Sequence, residues 1–247
     1  SYGVKGLVDE AHGAHFYFDK NLPSDAMSCG ADMSAVSIHK TGGSLTQSSL
    51  ILINNEIDAD YVREIINLTL TTSSSYLLTS SLDIARSYMM TKGRYLLPSL
   101  IENINAARDQ INSLKGFYAF GSELKDGQTV FDFDETKLCV NTLHTGYAGI
   151  EIYKKLLYDY DIQLELGDIG NILAIPTVAT EKNELDKLVQ ALETISKKTT
   201  DRKPFIKYEY YQPVIKTSPR DAFFALKKTV PLSESLDSIC GEFVMCY

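Results

Sequence analysis

Cysteine is scarce in this sequence: Cys29, Cys139, Cys240 and Cys246 are scattered, and no two stand in a CxxC spacing. That spacing excludes a zinc knuckle and offers no disulfide framework, leaving the reduced thiols of a cytosolic protein. Long apolar runs are missing too. None approaches the roughly 18 residues that a membrane span needs, and the first residues lack the charged-then-apolar pattern of a signal peptide. The expectation is a cytoplasmic protein without a membrane partner. Positive charge is in deficit, with 24 Lys and Arg against 32 Asp and Glu, a net charge of −8. A nucleic-acid partner would require a basic face, whereas an acidic field favours a cationic small substrate. There are no internal repeats and no low-complexity tracts.

What is present reads as ordinary globular chain, 44% hydrophobic and 23% charged. Its 247 residues can hold one large domain or two modest ones. The sequence has no initiator Met, enters an apolar stretch at residues 4–8, and stops on Phe243-Val244-Met245-Cys246-Tyr247. Natural termini usually lie in polar, exposed segments, so the expectation is a piece of a longer chain, cut at both ends.

Residues 4–8 and 50–53 are short apolar runs of the kind found in sheets covered on both faces, with 33–38 a less apolar third strand. Asp58 is placed to cap a helix whose Val62, Ile65 and Ile66 share one face. A longer helix follows, with Leu97, Leu100, Ile104, Ala107, Ile111 and Leu114 at three- and four-residue steps, interrupted or restarted at Gly93 and Pro98. From Gly116 the texture changes to strands at 129–133 and 138–143, a helix at 148–158, strands at 162–166 and 172–175, and a helix striped by Leu185, Leu188, Val189 and Leu192. A last helix pair begins near Ser218. The division expected is 1–92, the later part of an α/β domain; 93–115, a connecting helix; 116–199, a small α+β domain; and 200–247, the start of a third region.

Two segments place polar groups just past an apolar strand, where open α/β sheets bind ligands. One is Asp9-Glu10-Ala11-His12-Gly13-Ala14-His15; the other runs Ser37-Ile38-His39-Lys40-Thr41-Gly42-Gly43-Ser44. A lysine among hydroxyls, imidazole and free backbone amides fits a Schiff-base amine with a phosphate close by. An aspartate at another strand end fits the partner of a protonated pyridinium nitrogen. Taken singly, such residues are more often turn caps and solvated charges, and His12 and His15 equally fit hydrogen-bonded histidines at the core edge. Three other patterns compete. Asp9-Glu10-Ala11-His12 matches the magnesium box of a family of helicases, but no GxxxxGK[ST] loop accompanies it. Ser37-x-x-Lys40 and Lys40-Thr41-Gly42 imitate penicillin-recognising elements that require two separate lysines and an SDN element, absent here. His12-x-x-His15 has poor zinc spacing and no third ligand nearby.

The stretch Ala35-Val36-Ser37-Ile38-His39-Lys40-Thr41-Gly42-Gly43-Ser44-Leu45-Thr46-Gln47-Ser48-Ser49 resembles throughout the pyridoxal-phosphate (PLP) attachment signature of the ornithine/lysine/arginine decarboxylases. The segment from Asp9 to His15 is similar to that family's cofactor-nitrogen segment, at the expected distance upstream. Thr71-Thr72-Ser73-Ser74-Ser75-Tyr76 resembles a further family stretch, with Ser74 where proline is common, and Thr217-Ser218-Pro219-Arg220-Asp221-Ala222-Phe223-Phe224 resembles another. The resemblance implies an α/β fold: part of a PLP-dependent transferase (fold type I) large domain with a mixed sheet, followed by a small α+β domain. It implies PLP joined to Lys40, Asp9 paired with the pyridinium nitrogen, and Ala11 flat against the ring. Ser37 and His39 would reach the phosphate, and Thr71 would do so from a neighbouring subunit, in a homodimer or higher oligomer with shared active sites. His12 joins Lys40 and Asp9 as a catalytic candidate. Glu165, preferred, and Asp168 are candidates to bind the distal cation of the substrate.

The activity implied is decarboxylation of arginine, lysine or ornithine to its amine, as in polyamine biosynthesis. In that family the phosphate-wrapping loop and a ring-stacking histidine come from residues N-terminal to this stretch. Two alternatives remain open at this point. One is a related PLP enzyme such as an aminotransferase, whose small domain would supply an arginine for the α-carboxylate. The other is a fragment with no activity by itself.

Overall fold

A computed structural model describes residues 3–70, 73–199 and 214–239. Up to residue 199 they belong to one compact unit, and residues 214–239 to a second. The first unit opens with a three-stranded mixed sheet in which β2 (Met33–Val36) is central, parallel to β1 (Leu7–Asp9) and antiparallel to β3 (Leu50–Ile53). The parallel register pairs Leu7 with Met33 and Asp9 with Ala35. The segments leaving β1 and β2 therefore emerge side by side at one end of the sheet. That end carries both motifs.

The chain after β2 makes a single helical turn, α1 (Ile38–Thr41), and after β3 enters α2 (Ala59–Thr69). Asp58 caps α2 as expected: its carboxylate accepts from the amides of Asp60 and Tyr61. Next comes α3 (Tyr76–Tyr88), which runs through a π-helical turn at Met89–Gly93 into α4 (Arg94–Asn112). Pro98 has no amide hydrogen, so the Arg94 carbonyl lacks its α-helical donor, and the π turn lies immediately upstream. The stripe read from sequence holds. Leu97, Leu100, Ile104, Ala107 and Ile111 are all buried.

That stripe packs against an antiparallel sheet of order β4-β5-β7-β6: β4 (Tyr118–Ala119), β5 (Leu138–Asn141), β6 (Leu166–Gly167) and β7 (Asn171–Ala174). Two helices complete the layer, α5 (Gly149–Tyr160) and α6 (Lys182–Ser196). Ile104, Ile111, Leu138, Ile152, Leu156 and Leu192 are fully excluded from solvent in this core. Gly149 starts α5 against the β6–β7 turn; a Cβ there would stand 2.1 Å from the Asn171 carbonyl oxygen. In the second unit, Ser218 caps α7 (Pro219–Phe224) by accepting from the Asp221 amide, with Pro219 in the first turn where its missing donor costs nothing. Among the described residues no helix is long and apolar enough to cross a membrane.

Four local expectations need correction. Residues 129–133 form no strand, because the Asp126 carboxylate accepts from the amides of Gln128, Thr129 and Val130 and curls the chain around itself. The strand expected at 162–166 shrinks to β6. Asp161 adopts a left-handed conformation, φ 52°, and the Ile162 amide turns back to the Leu156 carbonyl, closing α5. The runs at 4–8 and 50–53 form strands but are not covered on both faces: Leu7 is 70% and Ile51 47% exposed. Both belong to edge strands, and burial falls on Ser34 and Val36 of the central one. Of the helix pair expected near Ser218, the described residues 214–239 hold one helix, α7, followed by a 3-10 turn at Leu232–Glu234.

Candidate active site

Strand alternation sends neighbouring side chains of the first motif opposite ways. Asp9, the last residue of β1, is exposed at the strand end, and its Oδ1 accepts the Ala11 amide at 3.1 Å. Glu10 turns inward. Its carboxylate accepts from the Ala26 amide at 2.9 Å, the Tyr17 hydroxyl at 2.6 Å and the Ser34 hydroxyl at 2.9 Å. Burial, then the Glu10 carboxylate, push the Tyr17 phenol well above its ordinary range, so it remains a donor. Glu10 thereby fixes the chain on both sides of the sheet end. Ala11 and His12 are held at its mouth, the first half-buried and the second exposed.

Lys40 reaches the same mouth from α1. Its Nζ lies 3.3 Å from His12 Nε2. Burial first, then the charges of Lys40 and Lys137, hold His12 below the ordinary imidazole range, while Glu165 and Asp9 pull it upward. The lowered value favours the uncharged imidazole at neutral pH. Glu165 and Lys137, although distant in sequence, are among the charges that act on it.

One turn of helix has almost no stability of its own, so external ties must orient Lys40. His39 provides one: its amide and its Nδ1 both address the Ser48 carbonyl, at 3.3 and 3.0 Å, leaving Nε2 for a ligand. Ser37 precedes the turn, and its hydroxyl caps none of the turn's amides. Thr71, the remaining phosphate candidate, lies outside the described residues.

The two acidic candidates differ in what their side chains already do. Asp168 Oδ1 accepts the amides of Gly170 at 2.7 Å and Asn171 at 2.6 Å, so this carboxylate builds the turn between β6 and β7. Glu165 is exposed, its amide donating to the Leu173 carbonyl at 3.0 Å while its side chain stays at the surface. It also lines a cavity of about 570 Å³ with Asp161, Gln163, Thr180 and Glu184.

Four contributors, Asp134, Thr136, Lys137 and Arg108, escaped the reading of the motifs. His15 is buried at 2% exposure and contacts Thr41, Asp134 and Thr136. Lys137 Nζ donates to Asp134 at 2.8 Å. Arg108 donates to Glu135 at 2.9 Å and to the carbonyl oxygens of Phe120 and Lys137, which fixes the 133–137 loop. A buried polar residue is visible in a sequence only through its partners, and two of these, Asp134 and Thr136, stand more than a hundred positions from His15.

A family profile described as "Orn/Lys/Arg decarboxylase, major domain" matches residues 1–141. The chain is 39% identical to the arginine decarboxylase of Bacillus subtilis (strain 168) over 254 aligned positions, and 41% identical to that of Halalkalibacterium halodurans over 252. Each alignment covers all of this chain and 51% of the relative, so the chain spans about half the length of the curated relatives it matches. The solved lysine decarboxylase of Francisella novicida superposes with a TM-score of 0.68 at 19% identity, covering 79% of this chain and 33% of that one. The fold is accordingly that of the PLP-dependent fold-type-I enzymes, and the chain belongs to the Orn/Lys/Arg decarboxylase family.

Proposed function

We propose that this chain provides the PLP-anchoring lysine, Lys40, and one side of the active site of an enzyme that decarboxylates a basic amino acid, with arginine as the leading substrate. The observation that carries this reading is the meeting of Lys40, His12 and Asp9 at the shared end of two parallel strands. Similarity to two arginine decarboxylases at 39% and 41% identity supports the substrate. The residues fit the cofactor. An exposed Asp carboxylate, an amine at the strand end, a small Ala between them, and the Ser37 hydroxyl and His39 Nε2 as donors match a ring with one basic nitrogen and one phosphate.

When bound, PLP supplies an electron sink for the pair left at Cα as CO₂ departs. The chain's own residues do the rest. Lys40 would anchor the cofactor. Asp9 would keep the ring nitrogen protonated. Neutral His12, in hydrogen-bond reach of Lys40 Nζ, would take or return the lysine's proton. Ala11 leaves room for the ring. Ser37 and His39 hold the phosphate, with Thr71 assigned to the site of a neighbouring subunit in a homodimer or higher oligomer. Glu165, whose charge already acts on His12, receives the distal cation, and Asp168 supports it by shaping the turn. The cytoplasm is the compartment that goes with this chemistry.

An aminotransferase on this fold would need an arginine from the small domain, and no arginine occurs between residues 116 and 199. The test is CO₂ and amine release by the full-length protein supplied with PLP and, in turn, arginine, lysine and ornithine. Release from arginine in preference to the others is expected. Transamination without CO₂, or no turnover of any of the three, would overturn the proposal.

A further inference from the structure

We infer that His15 is a positioning residue for Lys40. Its buried imidazole ties the helical turn that carries the lysine to the 133–137 loop, and this tie sets the direction of the lysine amine. The inference rests on the proposed role of Lys40 as cofactor anchor and assigns a further residue to that site.

The imidazole joins three separated segments. Nδ1 lies 3.2 Å from the hydroxyl of Thr41, the residue next to Lys40. Nε2 lies 3.1 Å from Asp134 Oδ2 and 3.0 Å from the Thr136 hydroxyl. Histidine, Thr41 and Thr136 are 2%, 6% and 2% exposed, so water does not compete for these bonds.

The chemistry fixes how the ring is used. Burial opposes the charge on Asp134, but the hydrogen bond from His15, the His15 charge and Lys137 outweigh it and hold the carboxyl well below its usual range. An ionised carboxylate only accepts, so His15 Nε2 carries a hydrogen. On the other side of the ring Nδ1 pairs with the Thr41 hydroxyl at 3.2 Å. Asp134 thereby orients the ring, and the ring holds the Thr41 hydroxyl.

Thr41 matters because α1 cannot orient itself. The turn is a single one, with Lys40 N bonded to Ser37 O at 3.2 Å and Gly42 N to Ile38 O at 2.9 Å. Its external ties flank the lysine: His39 to Ser48 on one side, Thr41 to His15 on the other. The far end of the second tie is itself anchored, since Arg108 grips Glu135 and the Lys137 carbonyl. Lys137, in the same loop, acts on His12, which touches Lys40. The lysine turn and the loop are thus tied through one buried imidazole.

The experiment uses the full-length protein and three variants, Thr41→Val, Thr41→Ser and His15→Phe. Thr41→Val removes the hydroxyl without changing the shape of the residue; Thr41→Ser retains it. The rate of covalent PLP capture by Lys40 is followed by visible absorbance, beside kcat, KM and the urea midpoint. Thr41→Val is expected to slow capture and lower kcat by about tenfold, with KM within about twofold, because small misplacements of a reacting group are costly in rate. Thr41→Ser should restore both, and the urea midpoint of Thr41→Val should stay near that of the parent. His15→Phe, if it folds, should reproduce Thr41→Val or worse. Parental capture and kcat in Thr41→Val would overturn the inference, as would a loss explained wholly by lowered stability or unrepaired by serine. A parent protein that captures no PLP on Lys40 would instead defeat the underlying assignment, and the inference with it.

Discussion

Replacing Arg108 by Met tests whether the loop beneath the site is held as the structure describes. The guanidinium is 8% exposed as a side chain and lies 5.9 Å from the centre of the Phe133 ring. Its Nη1 pairs with Glu135 Oε2 at 2.9 Å, Nε donates to the Phe120 carbonyl at 3.1 Å, and Nη2 reaches the carbonyls of Glu135 and Lys137 at 3.4 and 3.3 Å. Methionine fills most of the volume but donates nothing. It leaves a carboxylate, three backbone carbonyl oxygens and the Asn105 side-chain oxygen without this donor. Breaking a buried ion pair from one side costs about 3–5 kcal/mol. Glu135 keeps 16% exposure and recovers some hydration, which places the expected loss near the lower end, about 3 kcal/mol. Urea denaturation followed by circular dichroism measures it. Adding Glu135→Gln removes the stranded charge and should restore about 1 kcal/mol or more. A loss below about 1 kcal/mol for Arg108→Met, typical of an exposed ion pair, would refute the buried-clamp reading.

Two further outcomes follow from the geometry. Asp9→Asn keeps an oxygen for the Ala11 amide, so the protein should fold, but it loses the charge-assisted bond assigned to the cofactor nitrogen; kcat should fall at least about tenfold, and near-parental turnover would reject the role. Gly149→Ala places a Cβ 2.1 Å from the Asn171 carbonyl and 2.7 Å from that of Asp168, so the backbone must move at a cost of about 1–3 kcal/mol, and an unchanged melting temperature would contradict that contact.

Much of the fold was legible where local chemistry decides it. Asp58 caps α2 because a short carboxylate before an apolar stripe can do little else, and the 97–111 stripe is buried as its spacing demands. The central motif was legible for the same reason: hydroxyls, imidazole and lysine crowd into a few positions after a strand. What stayed hidden depends on partners remote in sequence. The 129–133 run has strand composition, but Asp126 takes its amides. His15 fitted a hydrogen-bonded histidine at the core edge, as the structure has it, but its partners at 134 and 136 could be found only in three dimensions. Glu165 was preferred to Asp168 among the acids near a strand end, but what separates them physically is backbone geometry, since the turn amides engage Asp168 alone of the two.

The central claim is that Lys40 is the covalent anchor of PLP, and borohydride reduction tests it most directly. The full-length protein is loaded with PLP, reduced, digested and mapped by mass spectrometry. The account predicts a stable pyridoxyl label on Lys40, abolished by Lys40→Ala. A label on Lys137, on any other lysine, or on none would contradict it.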